Sequence, residues 1–62
     1  MYIVKDLTGR GYVYRADREE IIKDLQHGVF EDFDDPEELE DWIDNATMGD
    51  EISSRTIKII KA

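Results

Sequence analysis

Short apolar runs near the start of the chain have the pattern of paired β-strands. Residues 2–5 (YIVK) and residues 12–15 (YVYR) are rich in aromatic and β-branched side chains, which are enriched in half-buried strands. Residues 6–11 lie between the two runs and include Gly9 and Gly11, which tolerate the positive φ angles that many turns require. The pattern predicts a β-hairpin with a loop of several residues.

The apolar pattern then changes to a helical period. Asp17 followed by Glu20 is the capping-box arrangement that starts a helix, and His27 with Gly28 is typical of a helix C-terminus. We therefore predict a first helix over residues 18–27, with His27 at the end where a cation is favourable. Its apolar face consists of three residues, Ile21, Ile22 and Leu25.

A second helix has stronger start signals. Asp35 is a favourable N-cap residue, Pro36 suits the first helical position, and Glu38 occupies the third. The apolar residues that follow recur on one helical face, at Leu39, Trp42, Ile43 and Ala46. We expect Trp42 to be substantially buried at the centre of this stripe, and Gly49 to end the helix.

The chain closes with a third predicted strand over residues 55–61 (RTIKIIK), in which Ile57 and Ile59 lie on one face. The element order is β-β-α-α-β, which belongs to the α+β class. A three-stranded, mostly antiparallel sheet with both helices packed on one face buries these apolar surfaces. Residues 1–62 contain no repeat, linker or composition boundary, so we expect a single domain.

Length and composition exclude several classes of protein. A chain of 62 residues buries only about 60% of the surface that its unfolded form exposes, and Rossmann or barrel enzymes need far more chain. The absence of cysteine excludes disulfides, thiolate metal sites and thiol nucleophiles. No apolar run approaches the ~18 residues that span a membrane, and the pattern of a secretory signal is missing. We expect a folded cytoplasmic protein without membrane contact.

Charge is segregated along the chain. The formal net charge is −8, but residues 24–54 contain twelve Asp and Glu and no Lys or Arg. The rest of the chain holds eight basic and four acidic residues, a net charge of +4. A halophilic adaptation would spread acidic residues over the whole surface, which differs from the segregated charge of this chain. The concentrated negative charge opposes direct binding to nucleic acid.

Catalytic and metal-binding interpretations have little support. His27 is the only imidazole, and Ser53 and Ser54 have no second histidine to activate them. Residues 32–35 (DFDD) are rich in oxygen ligands, but an EF-hand loop requires a glycine at the sixth position and a glutamate at the twelfth. Pro36 and a helix start replace that arrangement. We expect no enzymatic activity, no cofactor and no dedicated metal site.

An aromatic sheet face is an alternative binding surface. Tyr2, Tyr12 and Tyr14 alternate along the first two strands and should share a face of the sheet. Aromatic residues flanked by cations form a stacking platform for single-stranded nucleic acid. Four basic residues are candidates for flanking positions, Arg10, Arg15, Lys58 and Lys61. The simpler interpretation is that the tyrosines cover the open face of a small sheet.

The carboxylates of the second helix are the main candidate site. Successive residues of a helix are rotated by about 100°. If the apolar stripe faces inward, Glu37, Glu40 and Asp41 lie on the outer face. Asp44 lies on the same face, and Glu38 lies at its flank. These five carboxylates span about 12 Å, one charge per about 2.4 Å, compared with one per about 1.7 Å in duplex DNA. With the preceding loop they form what we call the acidic surface: Asp32, Asp34, Asp35, Glu37, Glu38, Glu40, Asp41 and Asp44. Such a surface can occupy a Lys- and Arg-lined groove that normally holds nucleic acid.

Part of the chain resembles a known family. Residues 25–39 (LQHGVFEDFDDPEEL) pass from a helix end with glycine, through acidic and aromatic residues, to an apolar residue that opens another helix. This segment is similar to one in small phage-encoded type II anti-CRISPR proteins that inhibit Cas9, and the preceding strand and Ile-rich helix resemble their layout. The resemblance covers about half of the chain, and Pro36 and the basic final strand depart from it. It implies a DNA mimic that occupies the PAM-recognition site through Asp32, Asp34, Asp35, Glu37 and Glu38.

Two functions come ahead of nucleic-acid binding by the tyrosine face. The first is a non-enzymatic acidic protein, derived from a phage or mobile element, that mimics nucleic acid and blocks the basic groove of a host nuclease or DNA-binding protein. The second is a small accessory interaction module with an apolar or tyrosine-lined interface, in which acidity serves only solubility. Like charges four residues apart, such as Glu37 and Asp41, cost a helix a few tenths of a kcal/mol, which favours the first. The oligomeric state stays open.

Overall fold

The computed structural model describes residues 1–62 and contains two helices and a four-stranded antiparallel sheet. The sheet order is β2-β1-β4-β3. The α+β prediction is confirmed, but the sheet has four strands rather than three. The elements in chain order are β1 (Tyr2–Asp6), β2 (Val13–Ala16), α1 (Arg18–Gln26), α2 (Pro36–Asn45), β3 (Glu51–Ser53) and β4 (Ile57–Lys61).

The missed strand, β3, is a three-residue edge strand. It pairs with β4, so that Ile52 lies opposite Ile59. The turn between the strands is closed by Ser54, whose N–H donates to the carbonyl of Ile57 at 2.8 Å. A strand that supplies only one apolar residue has no alternating pattern to reveal it. Its conformation depends on the ladder with β4.

The two ends of the chain form the centre of the sheet, where β1 pairs with β2 on one side and with β4 on the other. Val4 lies opposite Ile59, and both are buried beneath the helices. Their neighbours Ile3 and Ile60 lie on the other, uncovered face of the sheet. The core between sheet and helices consists of Tyr2, Val4, Ala16, Ile21, Phe30, Leu39, Ile43 and Ile59.

Both predicted N-caps are confirmed. The carboxylate of Asp17 accepts a hydrogen bond from the Glu20 N–H at 2.9 Å, and α1 ends one residue before the predicted boundary. The carboxylate of Asp35 accepts from the N–H groups of Glu37 and Glu38, at 3.0 and 3.3 Å. These bonds satisfy donors that have no partner within the helix. Neither helix is long and apolar enough to cross a membrane.

The predicted end of α2 is wrong. The helix stops at Asn45, and Ala46 already has extended backbone, whereas Gly49 lies in the turn that leads into β3. The φ of Gly49 is 93° and its N–H donates to the Lys61 carbonyl at 2.8 Å. Its positive φ therefore serves the sheet and not the helix end.

The apolar stripe of α2 is centred differently from the expectation. Leu39 and Ile43 are buried, whereas Trp42 is half-buried and packs against the edge of the core. The Trp42 ring lies 6.1 Å from that of Tyr2, in a tilted arrangement. Trp42 therefore covers Tyr2 from the side, and the two aliphatic residues occupy the centre of the helix–sheet contact.

Candidate functional site

The loop before α2 is held in place by aromatic side chains. Phe30 is buried, and its ring meets that of Phe33 edge to face at 6.3 Å. The Phe33 N–H also donates to the Phe30 carbonyl at 3.0 Å. Because the aromatic residues point to the core, Asp34 is left exposed beside them. The loop therefore presents acidic residues from an anchored backbone.

Two members of the acidic surface that precede α2 have structural partners. The Asp32 carboxylate accepts a hydrogen bond from the Thr56 hydroxyl, which joins the loop to the β3–β4 turn. Asp35 caps α2 through the two backbone bonds described above. Both residues lie at the predicted site, but their oxygens are already partly engaged within the chain.

The exposed face of α2 is smaller than expected. Glu37, Glu38 and Asp41 are exposed, whereas Glu40, which was also predicted on the outer face, is half-buried. Asp44 forms an ion pair with Arg18 of α1, Nε to Oδ1 at 2.7 Å. The hydrogen bond from the Arg18 guanidinium holds the pKa of the Asp44 carboxyl below its usual value. Asp44 is therefore exposed but neutralised.

The remaining carboxylates have no cation partner. The only other ion pair in the chain joins Lys58 to Glu51, at 3.5 Å, and both belong to the uncovered face of the sheet. Four exposed carboxylates of the acidic surface form no ion pair and accept no side-chain hydrogen bond. They are Asp34, Glu37, Glu38 and Asp41. We call these four the free carboxylates.

A groove of about 300 Å³ lies between this surface and the sheet edge. One side is formed by the loop and the start of α2, including Asp34 and Glu38, and the other by β3 and the turn after it. Ile52, Ser53 and Arg55 belong to that second side. These residues are absent from the predicted acidic surface, because no sequence pattern indicates β3.

The prediction of tyrosines on an open sheet face is wrong. Tyr2 and Tyr14 share a face of the sheet, but it is the face covered by the helices, and Tyr2 is buried. Arg15 and Lys58 lie on the opposite face. Among the expected flanking cations, Lys61 contacts a tyrosine, with its Nζ 4.5 Å from the Tyr2 ring centre. The arrangement is a packed core contact and not a stacking platform.

Other candidate chemistry is dispersed. His27 is exposed at the C-cap of α1, where its backbone N–H bonds to Lys23 and Leu25 carbonyls. The Ser54 hydroxyl accepts from the N–H of Ile57 in the β3–β4 turn. No three histidine or carboxylate side chains converge on a point that could hold a metal ion.

A nearly buried carboxylate at Asp6 was not anticipated. Its oxygens accept from the Thr8 hydroxyl at 2.8 and 2.9 Å, and from the N–H groups of Thr8 and Arg10 at 3.2 and 3.0 Å. Burial acts to raise the pKa of Asp6, but the hydrogen bonds from Thr8 and Arg10 outweigh it and hold that pKa below its usual value. Asp6 therefore organises the hairpin loop.

No family model, curated protein or solved structure matches the chain. The resemblance of residues 25–39 to anti-CRISPR proteins stays a prediction.

Proposed function

We propose that this protein is a non-enzymatic inhibitor that acts in the cytoplasm by placing its acidic surface in the basic nucleic-acid-binding groove of another protein. The observation that carries the proposal is the presence of exposed carboxylates on α2 and its approach loop that form no ion pair within the chain. These are the free carboxylates Asp34, Glu37, Glu38 and Asp41.

Helix stability accounts for only part of this charge. Glu37 and Glu38 lie in the first turn of α2, where negative charge interacts favourably with the helix dipole. Asp41 lies beyond the first turn and four residues after Glu37, a spacing at which two like charges destabilise a helix. The last turn of α2 contains no basic residue that would offset this repulsion. Helix stability therefore does not explain the charge of Asp41, which favours a role in binding.

The surface is also preorganised. The Asp35 cap fixes the start of α2, and the Arg18–Asp44 ion pair joins its far end to α1. The Tyr2 hydroxyl donates to the Ile43 carbonyl at 2.7 Å and ties the helix to the sheet. A rigid surface loses little conformational entropy when it binds. The helix is about 15 Å long, so its charges follow a path comparable in scale to several phosphates of a duplex.

Cas9 is the first target to test, because residues 25–39 resemble Cas9 inhibitors. A fluorescent PAM-containing duplex bound to the Cas9–guide RNA complex would be titrated with the protein, and release of the duplex measured by anisotropy. For a host target other than Cas9, immobilised protein would capture it from lysate at low salt, and salt would release it. The interaction should weaken steeply as salt rises, because exposed charges are screened.

The decisive variant reverses two free carboxylates, Glu37→Lys with Asp41→Lys. Both side chains are exposed and outside the core, so the fold should persist. Two repulsive contacts in a basic groove should weaken binding at least tenfold, or about 1.4 kcal/mol. Glu19→Lys, at an exposed position of α1, is the matched control and should change affinity far less. Unchanged affinity of the double variant at low salt would contradict the proposal.

A second candidate is the interaction module with an apolar interface. Four large apolar or aromatic residues are exposed in the first hairpin, namely Leu7, Tyr12, Val13 and Tyr14. A partner held by these residues would resist high salt and would tolerate the reversal of Glu37 and Asp41. Tyr12→Ser with Val13→Ser would instead weaken it, whereas the same pair would leave an acidic mimic nearly unaffected.

A further inference from the structure

The groove beside β3 combines an apolar floor with an acidic rim. Its apolar residues are Phe33, Leu39 and Ile52, and the free carboxylates Asp34 and Glu38 lie along the same groove. The volume of about 300 Å³ lies at the lower end of the range for pockets that bind small molecules or side chains. The groove therefore favours a group that is aliphatic along its length and cationic at its tip.

Other charges of the lining leave this preference intact. Asp32 and Asp35 also line the groove, but the Thr56 hydroxyl and the helix N–H groups already engage them. Arg55 is the single cation among the lining residues. The carboxylates outnumber it, so the charge of the lining is negative.

The edge of β3 beside the groove has free backbone groups. The Ser54 N–H donates to the Ile57 carbonyl, and the Lys61 N–H donates to the Asp50 carbonyl. Antiparallel ladders alternate between bonded and non-bonded pairs, so the register places Glu51 and Ser53 in non-bonded pairs with β4. Both residues therefore direct their N–H and C=O groups away from β4, toward the open edge.

We propose that an extended basic segment of a partner protein adds to β3 as a fifth strand and inserts a lysine or arginine side chain into the groove. A new strand lies about 4.8 Å from its neighbour, and every second side chain would point to the helix side of the sheet, where the groove opens. The methylene stem of that side chain contacts the half-buried Phe33 and Ile52, and its cationic head pairs with Asp34 and Glu38. Main-chain bonds supply affinity and the pocket supplies specificity.

This inference rests on the proposed function for the basic character of the partner, and extends the contact from the exposed face of α2 to the sheet edge. The probe is a capped heptapeptide, TKTKTKT, which has strand-forming threonines between its lysines. A matched peptide with norleucine at the three lysine positions keeps the stems and removes the charge. Titration into ¹⁵N-labelled protein should produce saturable shifts at the amides of Glu51 and Ser53, and the norleucine peptide should bind at least tenfold more weakly.

Protein variants separate the groove from the rest of the acidic surface. Glu38→Gln should weaken binding of the lysine peptide at least threefold. Glu37 lies outside the groove, so Glu37→Gln should leave the affinity for the peptide unchanged. Ser53→Pro removes an outward N–H from an edge strand, where proline is tolerated, and should abolish the shift at Glu51. If Ser53→Pro does not fold, N-methylation of alternate peptide bonds in the probe tests the same contact, and one of the two methylation registers should lose at least fivefold in affinity.

The outcomes also distinguish this inference from the proposed function. Shifts confined to α2, with none at Glu51 or Ser53, would overturn strand addition, as would equal binding of the norleucine peptide. The double variant Glu37→Lys with Asp41→Lys should retain the peptide affinity within twofold even where it loses the target protein. If peptide binding fails but the double variant still loses the target, strand addition is wrong and the mimic proposal stands.

Discussion

The hydroxyl of Tyr2 connects the first strand to the C-terminal end of α2. It donates to the Ile43 carbonyl at 2.7 Å, across a separation of 41 residues, and both residues are buried, at 4% and 3% exposed. The last four carbonyls of a helix lack partners within the helix. The Tyr2 hydroxyl therefore satisfies an acceptor that water cannot reach.

Tyr2→Phe removes this bond with little other change. A phenylalanine ring keeps the tilted contact with Trp42 and the position beneath Lys61. An unsatisfied buried acceptor costs about 1–3 kcal/mol. A domain of this size has a total stability of about 3–9 kcal/mol, so the loss is a large fraction of it. The melting temperature should fall by about 4–8 °C for each kcal/mol.

Urea unfolding followed by Trp42 fluorescence measures the effect, with the midpoint lowered and the denaturant slope unchanged. Tyr12→Phe is the matched control, because Tyr12 is exposed at 55% and its hydroxyl has no hydrogen-bond partner in the chain. Its effect should stay within about 0.5 kcal/mol. If Tyr2→Phe costs no more than Tyr12→Phe, the Tyr2 hydroxyl does not stabilise the end of α2.

Two further predictions concern carboxylates with structural roles. Asp35→Ala should destabilise the protein by about 0.5–2 kcal/mol through loss of the helix cap, whereas Asp34→Ala, which removes no such bond, should have little effect on urea unfolding. The lowered pKa of Asp6 means that its carboxylate stabilises the folded state above the unfolded pKa of about 3.9, and that this stabilisation is lost as the pH falls through the folded pKa. The stability difference between wild type and Asp6→Asn should therefore be present at pH 6 and shrink toward pH 2. A difference that does not depend on pH would contradict this role of Asp6.

Local signals in the sequence were sufficient for the helix starts and the first hairpin. Asp17 and Asp35 cap backbone N–H groups two or three residues away, so a pattern of four residues contains both partners. The helical periods of α1 and α2 likewise identify Ile21, Leu39 and Ile43 as core residues, although they do not indicate that Trp42 is only half-buried. The abundance of carboxylates around α2 is also a property of the sequence alone, because charge density along a helix follows from spacing.

The parts that the tertiary structure decided depend on residues far apart in the chain. β3 exists because β4 pairs with it, and the groove exists because that edge meets the start of α2. Arg18 forms an ion pair with Asp44, 26 residues away in the chain, and the Tyr2 hydroxyl binds the Ile43 carbonyl, 41 residues away. No periodicity or local motif predicts such partners, because each contact depends on how the helices pack on the sheet. The composition of the acidic surface is therefore a matter of sequence, while the choice of which carboxylates remain free is a matter of packing.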